Sequence, residues 1–370
     1  MMVIAINTIG LLKNNANEDI IFFEELVIFI AKTKPNNSFI FIVNQPIPKE
    51  ILLPKNCTTQ LITATLTNLL QLVFFYTFTL KLIIKKSKAN VLLHLHPFCS
   101  PAINIPQIIV VKNIDVTVSL FTKYYFKKSL KKAARIVVND DACVAAILSK
   151  YSTQNPLQIQ SKCEIITGAA NASFKAMDYL AKVFVKDGYA DGCDYFIAIA
   201  YNFSFKEFIT LLKAFSVFKR WQKSNMKLLI VGNISDYKQQ LQAKFNTYKY
   251  RDDLVAISSI SQQEKAKLLG AAYAVILPSI HTDFFLSIIQ SLQVSVPVMV
   301  NNTRALQEQF ADALLYVDMQ NHEVIASQMK LLYRDENLRT NFISKGTIIS
   351  QGFSFTKSAT TLWQCMLASQ

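Results

Sequence analysis

A chain of 370 residues is too long for one ordinary core and suits two domains of roughly 150–200 residues each; with 51% hydrophobic and 17% charged residues it has apolar side chains for two buried sheets. The net charge of +14 favours anionic partners (nucleotides, nucleic acid or anionic lipid headgroups) without choosing among them, and a merely solvated basic surface is the plain alternative. Six cysteines at 57, 99, 143, 163, 193 and 365 show no C-x-x-C and no histidine at ligand spacing, which supports neither a zinc site nor a disulfide framework and fits a cytoplasmic protein.

In chain order, "MMVIAIN" reads as a first strand; without a basic n-region it is not a signal peptide. "DIIFFEELVIFIAKTK" is a helix and "SFIFIV" a second strand. From Leu61 to Leu80 no residue is charged, which is long enough to span a membrane. Thr63, Thr65, Thr67, Asn68, Gln71, Thr77 and Thr79 favour a buried or surface-lying helix instead. The basic end of that helix, Lys81, Lys85, Lys86 and Lys88, suits an anionic lipid surface. "NVLLHLH", "PQIIVV" and "ARIVVN" are strands. Between the last two, "KYYFKKSLKKAAR" (123–135) mixes five lysines and an arginine with aromatic and apolar residues, as interfacial helices do.

A second series starts near residue 194. It runs "DYFIAIA" (strand), "FKEFITLLKAFSVFKRWQ" (helix), "MKLLIVGN" (strand), "SDYKQQLQAKFNTY" (helix) and "LVAISS" (strand). "SQQEKAKLLGAA" follows as a helix with Ser261 and Glu264 at capping-box spacing, then the strand "YAVILPS". "TDFFLSIIQSLQ" supplies a helix, "VPVMVNN" and "ALLYVD" short strands, and helices run to the end. The polar stretch "VKDGYADGCD" (185–194) reads as the link between the halves. Such β–α alternation argues parallel sheets with helices on both faces.

Taken together, "IAINTIGLLKN", "SLKKAARIVVND", "CEIITGAANASFK", "DYFIAIAYNFSFKEFITLLKAF" and "ISQQEKAKLLGAAYAVILPS" resemble, in order and spacing, segments of glycosyltransferase family 4. The resemblance implies the GT-B fold: two Rossmann-like, doubly wound α/β domains facing a central cleft. The first, acceptor-side domain is expected over 1–180 and the second, nucleotide-sugar donor-side domain over 190–350, with 351–370 a helix crossing back to the first. It also implies a retaining, metal-independent hexosyltransferase without a cofactor. The donor is a nucleotide sugar, and the acceptor a glycan or lipid-linked sugar in cell-surface polysaccharide synthesis. The expected place is the cytoplasm, peripheral at the inner face of the membrane. Nucleic acid is not an expected partner, because the basic residues form no recognition motif.

The resemblance weakens at the residues that do chemistry. Lys206 matches the family's phosphate lysine, while Tyr201 stands where an arginine is common. The family's donor segment E-G-F-G-L-P-x-x-E falls on "TDFFLSIIQ", so Thr282 and Gln290 replace its two acids. Phe284 and Leu286 still fit, while Asp283 and Phe285 replace glycines that let backbone approach a diphosphate. Lys112 and Asn113 stand where the family has His-Asp at the reaction centre. His94 and His96, on an apolar strand end, read as structural. Only 8 glycines are present where average usage predicts about 26. The expectation is therefore weak or absent nucleotide-sugar binding, with a catalytically silent binding or scaffold protein as the alternative to a working transferase. Phe285, in particular, is expected to fill space that glycine leaves to phosphate.

Overall fold

The computed structural model describes residues 1–9, 18–47, 52–62, 69–112, 120–151, 156–200, 203–232, 247–258, 260–278 and 285–370. They form two compact units, one of Met1–Gly168 with Phe355–Gln370 and one of Ala169–Ser354. The sequence alone places the first boundary at about 180, but Ala170 and Phe174 are buried in the second unit's core.

In the first unit, the strands β1 (Val3–Asn7), β2 (Ser38–Val43), β3 (Cys57–Leu61), β4 (Val91–His94), β5 (Gln107–Val111), β6 (Arg135–Val138) and β7 (Cys163–Ile165) form one sheet. Its order is β3-β2-β1-β4-β5-β6-β7, and every pairing is parallel. Strands β4 and β5 are buried along their whole length, as apolar strands covered on both faces must be. Helix α1 (Glu18–Thr33) crosses from β1 to β2. The uncharged stretch does not form one long helix: Leu61 ends β3, and α2 (Leu69–Phe74), a π-helical turn (Phe75–Thr79) and α3 (Leu80–Ser87) follow. The wider π turn lets two successive bulky residues, Phe75 and Tyr76, both turn inward. Among the described residues no helix is long and apolar enough to cross a membrane. Then come α4 (Leu120–Lys132), α5 (Asp141–Tyr151) and α6 (Pro156–Gln160).

The second unit begins with α7 (Tyr179–Ala190). Residues 185–190, read from sequence as part of a polar link, are its last two turns. Asp178 caps the helix by accepting from the Ala181 N–H, and Val185 and Ala190 are buried. Asp191 and Gly192, at φ 50° and 77°, then end it in the left-handed region. Strands β8 (Tyr195–Ile199), β9 (Lys227–Val231), β10 (Leu254–Ile257), β11 (Ala274–Leu277), β12 (Val298–Asn301) and β13 (Leu315–Val317) form a sheet in the order β10-β9-β8-β11-β12-β13, again all parallel. The helices are α8 (Phe205–Gln222), α9 (Gln262–Ala271), α10 (Phe285–Gln293), α11 (Arg304–Phe310), α12 (His322–Arg334) and α13 (Glu336–Ser350). The expected helix "SDYKQQLQAKFNTY" lies almost wholly outside the described residues. Ser261 caps α9 as its spacing predicts, yet Glu264 accepts from the Tyr189 hydroxyl at 2.5 Å rather than closing a capping box.

The last helix, α14 (Phe355–Leu367), belongs to the first unit. Phe355 packs edge-on against Phe22 and Phe29 of α1, and Ser358 donates to the Thr167 carbonyl at 2.9 Å. Leu362 is wholly buried there, whereas Leu367 is 44% exposed. Leu362→Ala is expected to cost about 2–5 kcal/mol, and Leu367→Ala no more than about 0.5 kcal/mol. Urea unfolding followed by circular dichroism compares them.

Candidate functional site

In an open parallel sheet every strand ends at the same edge, and ligands bind outside that edge where the strand order reverses. In the second unit the reversal lies between β8 and β11. Tyr201 follows β8, and Thr282, Asp283 and Phe284 follow β11; these four lie outside the described residues.

Lys206 is the second residue of α8 and is exposed. Ser204 caps the helix reciprocally with Glu207: its hydroxyl accepts from the Glu207 N–H at 3.3 Å, and its own N–H donates to the Glu207 carboxylate at 2.7 Å. The start of α8 thus joins a cation to the positive end of a helix dipole, a combination suited to an anion.

Helix α10 buries Leu286, Ser287, Ile289, Gln290 and Leu292. Phe285 is half-buried, its ring 5.3 Å from that of Phe310 and 5.7 Å from that of Phe353. The side chain is thus held by an aromatic cluster of its own unit. Gln290 is 1% exposed; its Nε2 donates to Gln262 Oε1 at 3.4 Å, while its Oε1 has no hydrogen-bond partner among the described residues. An orphaned buried acceptor costs about 1–3 kcal/mol until a donor reaches it.

Beside it lies a residue that sequence reasoning missed. Lys265 on α9 is 1% exposed and donates to Ser287 Oγ at 2.9 Å. The signal was present, because Lys265 precedes Leu268 and Leu269 by three and four positions and so shares their inward face. Two helix faces therefore meet through polar groups, Gln262 with Gln290 and Lys265 with Ser287.

In the first unit the order reverses between β1 and β4. Asn7 and His94 are register partners at the two strand ends. His94 Nε2–H donates to Gln107 Oε1 at 2.9 Å, and its Nδ1 accepts from Asn7 Nδ2 at 3.2 Å. Gln107 is held the right way round because its Oε1 also accepts from the Ser100 N–H while its Nε2 donates to the Ser100 and Ile103 carbonyls. Tyr76 stacks on His94 and donates to the Ile9 carbonyl at 3.1 Å. Both ring nitrogens are thus used, and His94 is a structural residue. His96 likewise donates from Nε2 to the Thr8 carbonyl at 2.7 Å.

Lys112 directly follows β5, and its Nζ lies 5.0 Å from the centroid of the Phe23 ring, a cation–π contact. Asn113 lies outside the described residues. Burial raises the neighbouring Glu24 carboxyl to about 7, against the pull of Lys112. All six cysteines are free, and burial pushes Cys99, Cys143 and Cys365 up to about 12, so these three stay thiols at neutral pH. Among the described residues no group of three or more His, Cys, Asp and Glu is placed to hold a metal ion.

Burial lowers His94 and His96 from 6.5 to about 4. Between pH 6.5 and 4 the unfolded chain therefore binds more protons, and stability falls as pH drops through that window. Glu24 acts in the opposite sense: raised from 4.5 to about 7, it is protonated in the folded state and gains stability on acidification. From pH 7 to 5 each histidine loses about 2 kcal/mol and Glu24 returns a similar amount, for a net loss on the order of 2 kcal/mol. Glu24→Gln is expected to steepen that loss roughly twofold, measured as urea midpoints at the two pH values.

The sequence profile of the family described as glycosyl transferases group 1 matches residues 190–348. The O-antigen chain mannosyltransferase RfbU of Salmonella typhimurium is 22% identical over 211 residues, which span 57% of this chain and about half (54%) of that protein. WaaG, a glycosyltransferase involved in lipopolysaccharide biosynthesis, superimposes with a TM-score of 0.75 at 10% identity over 99% of both chains. HepE from Anabaena, in complex with UDP-glucose, gives 0.76 at 13% identity over 100% of both. A glycosyltransferase from Rickettsia africae gives 0.72 at 15% identity over 98% of this chain and 97% of that one. At these identities the structural likeness establishes the GT-B fold and nothing finer.

Proposed function

Since residues 190–348 match the glycosyl transferases group 1 and the chain has the GT-B fold, we propose that it handles a nucleotide sugar in cell-surface polysaccharide synthesis. Its donor half is the second unit and its acceptor a glycan or lipid-linked sugar, on the cytoplasmic face of the membrane. HepE holds UDP-glucose in its structure, and RfbU is a mannosyltransferase acting on an O-antigen chain. Those relatives support the class of ligand and leave the sugar open.

The observation that carries the reading is the buried Oε1 of Gln290, without a hydrogen-bond partner among the described residues, at the position of a family acid. In this reading the oxygen accepts from a ribose hydroxyl, and Lys206 faces the phosphates. Tyr201, Thr282, Asp283, Phe284 and Leu286 complete the donor surface, and Lys112 and Asn113 take the reaction-centre positions of the acceptor half. Transfer is retaining and requires no metal. An amide and a hydroxyl supply neutral hydrogen bonds where carboxylates supply charge-assisted ones. Two such losses, at about 1.5–3 kcal/mol each, weaken donor binding roughly 10²–10⁴-fold. A second reading rests on that same replacement of both acids: the protein retains the fold as a silent binding or scaffold member.

Nucleoside diphosphates and their sugars are expected to bind in the millimolar range by calorimetry, with Lys206→Ala abolishing what binding remains. Thr282→Glu, Gln290→Glu and Asp283→Gly together should strengthen binding about a hundredfold or more. Phe285 is kept in that variant because its ring is part of the cluster with Phe310 and Phe353. Micromolar binding by the unaltered chain, lost in Lys206→Ala, would sink the weak-donor reading. Sugar transfer by the restored variant but not by the natural chain would decide for the silent member.

A further inference from the structure

In a chain with only 8 glycines, Gly188 stands inside helix α7. Glycine is the least favourable helix-interior residue after proline, so a helical glycine calls for a reason. Two others have theirs within this chain. A Cβ at Gly270 of α9 would lie 2.7 Å from Met177 Sδ, and one at Gly346 of α13 would lie 2.6 Å from Leu292 Cδ2. Each of those glycines makes room for a side chain pressed onto its helix. At Gly188 no such side chain lies within 4 Å. Nor does Gly188 end the helix, which runs on to Ala190 and is stopped by Asp191 and Gly192.

The hollow at Gly188 lies on an exposed apolar stripe. Leu180, Phe184 and Gly188 follow one another at i, i+4 and i+8 and share one helix face. Leu180 is 76% and Phe184 79% exposed, and Tyr179 beside them is 77% exposed. Phe184 is the most exposed phenylalanine among the described residues. Val185 and Ala190 take the buried side, so the stripe points away from the core of its own unit. A contiguous patch of large apolar side chains held in water marks an interaction surface.

Charge and shape select the partner. Residues 178–194 hold four aspartates and two lysines in a chain of net charge +14. An anionic lipid or a polyanion is repelled there, whereas two copies of a basic chain approach each other with least repulsion at such a place. The stripe is also complementary to itself. Reversed about Phe184, it sets a leucine opposite a hollow at each end and a ring against a ring in the middle. The same reversal lays the exposed Asp187 beside the first turn of the other copy's helix, where free N–H groups carry positive partial charge.

We propose that α7 pairs antiparallel with α7 of a second copy of this chain about a two-fold axis at Phe184, with Leu180 of each copy seated over Gly188 of the other. Three large side chains cover far less than the roughly 800 Å² per partner of a standard interface, so the dimer is a weak one. The inference stands on exposure, packing and charge and holds whether or not the second unit binds a nucleotide sugar.

The test is sedimentation velocity of the full chain from about 1 to about 200 µM. The natural chain is expected to pass from monomer to dimer across that range. Phe184→Lys removes the central ring and sets like charges against each other at the axis, so it should weaken the dimer about a hundredfold or more. Gly188→Leu fills the hollow and should weaken it at least about tenfold. Both positions face solvent, and leucine is a far better helix former than glycine. Thermal unfolding of Phe184→Lys should therefore match the natural chain, and Gly188→Leu should unfold at the same temperature or higher. A natural chain that stays monomeric throughout overturns the proposal. So does a dimer that persists in Phe184→Lys, or one that Gly188→Leu leaves at full strength. Vesicle binding that Phe184→Lys abolishes, without self-association, gives the stripe to a membrane and overturns it too.

Discussion

Parallel pairing governs what else this chain can do. A parallel strand cannot return by a tight turn, so each crossover needs a helix, and the helices cover both faces of the sheet. That is why β8 and β9 are buried along their whole length, and why half the sequence is hydrophobic. The same pairing sends every strand's carboxyl end to one edge. Residues far apart in sequence, such as Tyr201 after β8 and Thr282 after β11, therefore follow strands that are neighbours in the sheet. Each unit has one reversal of strand order.

The two reversals are furnished differently. In the first unit the space is filled by a closed polar network: Asn7, His94, Gln107, Ser100 and Tyr76 satisfy one another, and the histidine stays neutral because nothing there rewards its charge. In the second unit the polar groups are not closed in this way. Gln290 keeps an acceptor without a donor among the described residues, in a helix otherwise buried by apolar and small side chains. A satisfied network rigidifies a fold, whereas an unsatisfied buried group is tolerated where a ligand completes it.

Electrostatics divide the molecule along the same line. The excess charge is concentrated in residues 51–139, which hold twelve Lys/Arg and one acid. Several cations of the second unit are taken up structurally. Lys219 is buried against Asp253 and the Met226 carbonyl, and Lys265 is buried against Ser287. A net charge of +14 therefore says less about a phosphate site than about a surface.

The sequence by itself determined the fold class and nearly every strand, because apolar runs of the right length separated by amphipathic helices admit few other architectures. It also predicted a helix at the segment matched to the family's donor motif, and α10 (Phe285–Gln293) stands there. It misread residues 185–190 as linker, because Asp187, Gly188 and the glycine after Asp191 look like punctuation, while a cap at Asp178 and a buried Val185 keep the helix intact. Only the tertiary structure decided where side chains point. Phe285 turns into a ring cluster, Lys265 is drawn inward, and the π turn at Phe75–Thr79 sends Tyr76 inward and Phe78 outward. Direction depends on what packs against each helix face, and that partner lies tens of residues away in the chain, beyond the reach of any local pattern.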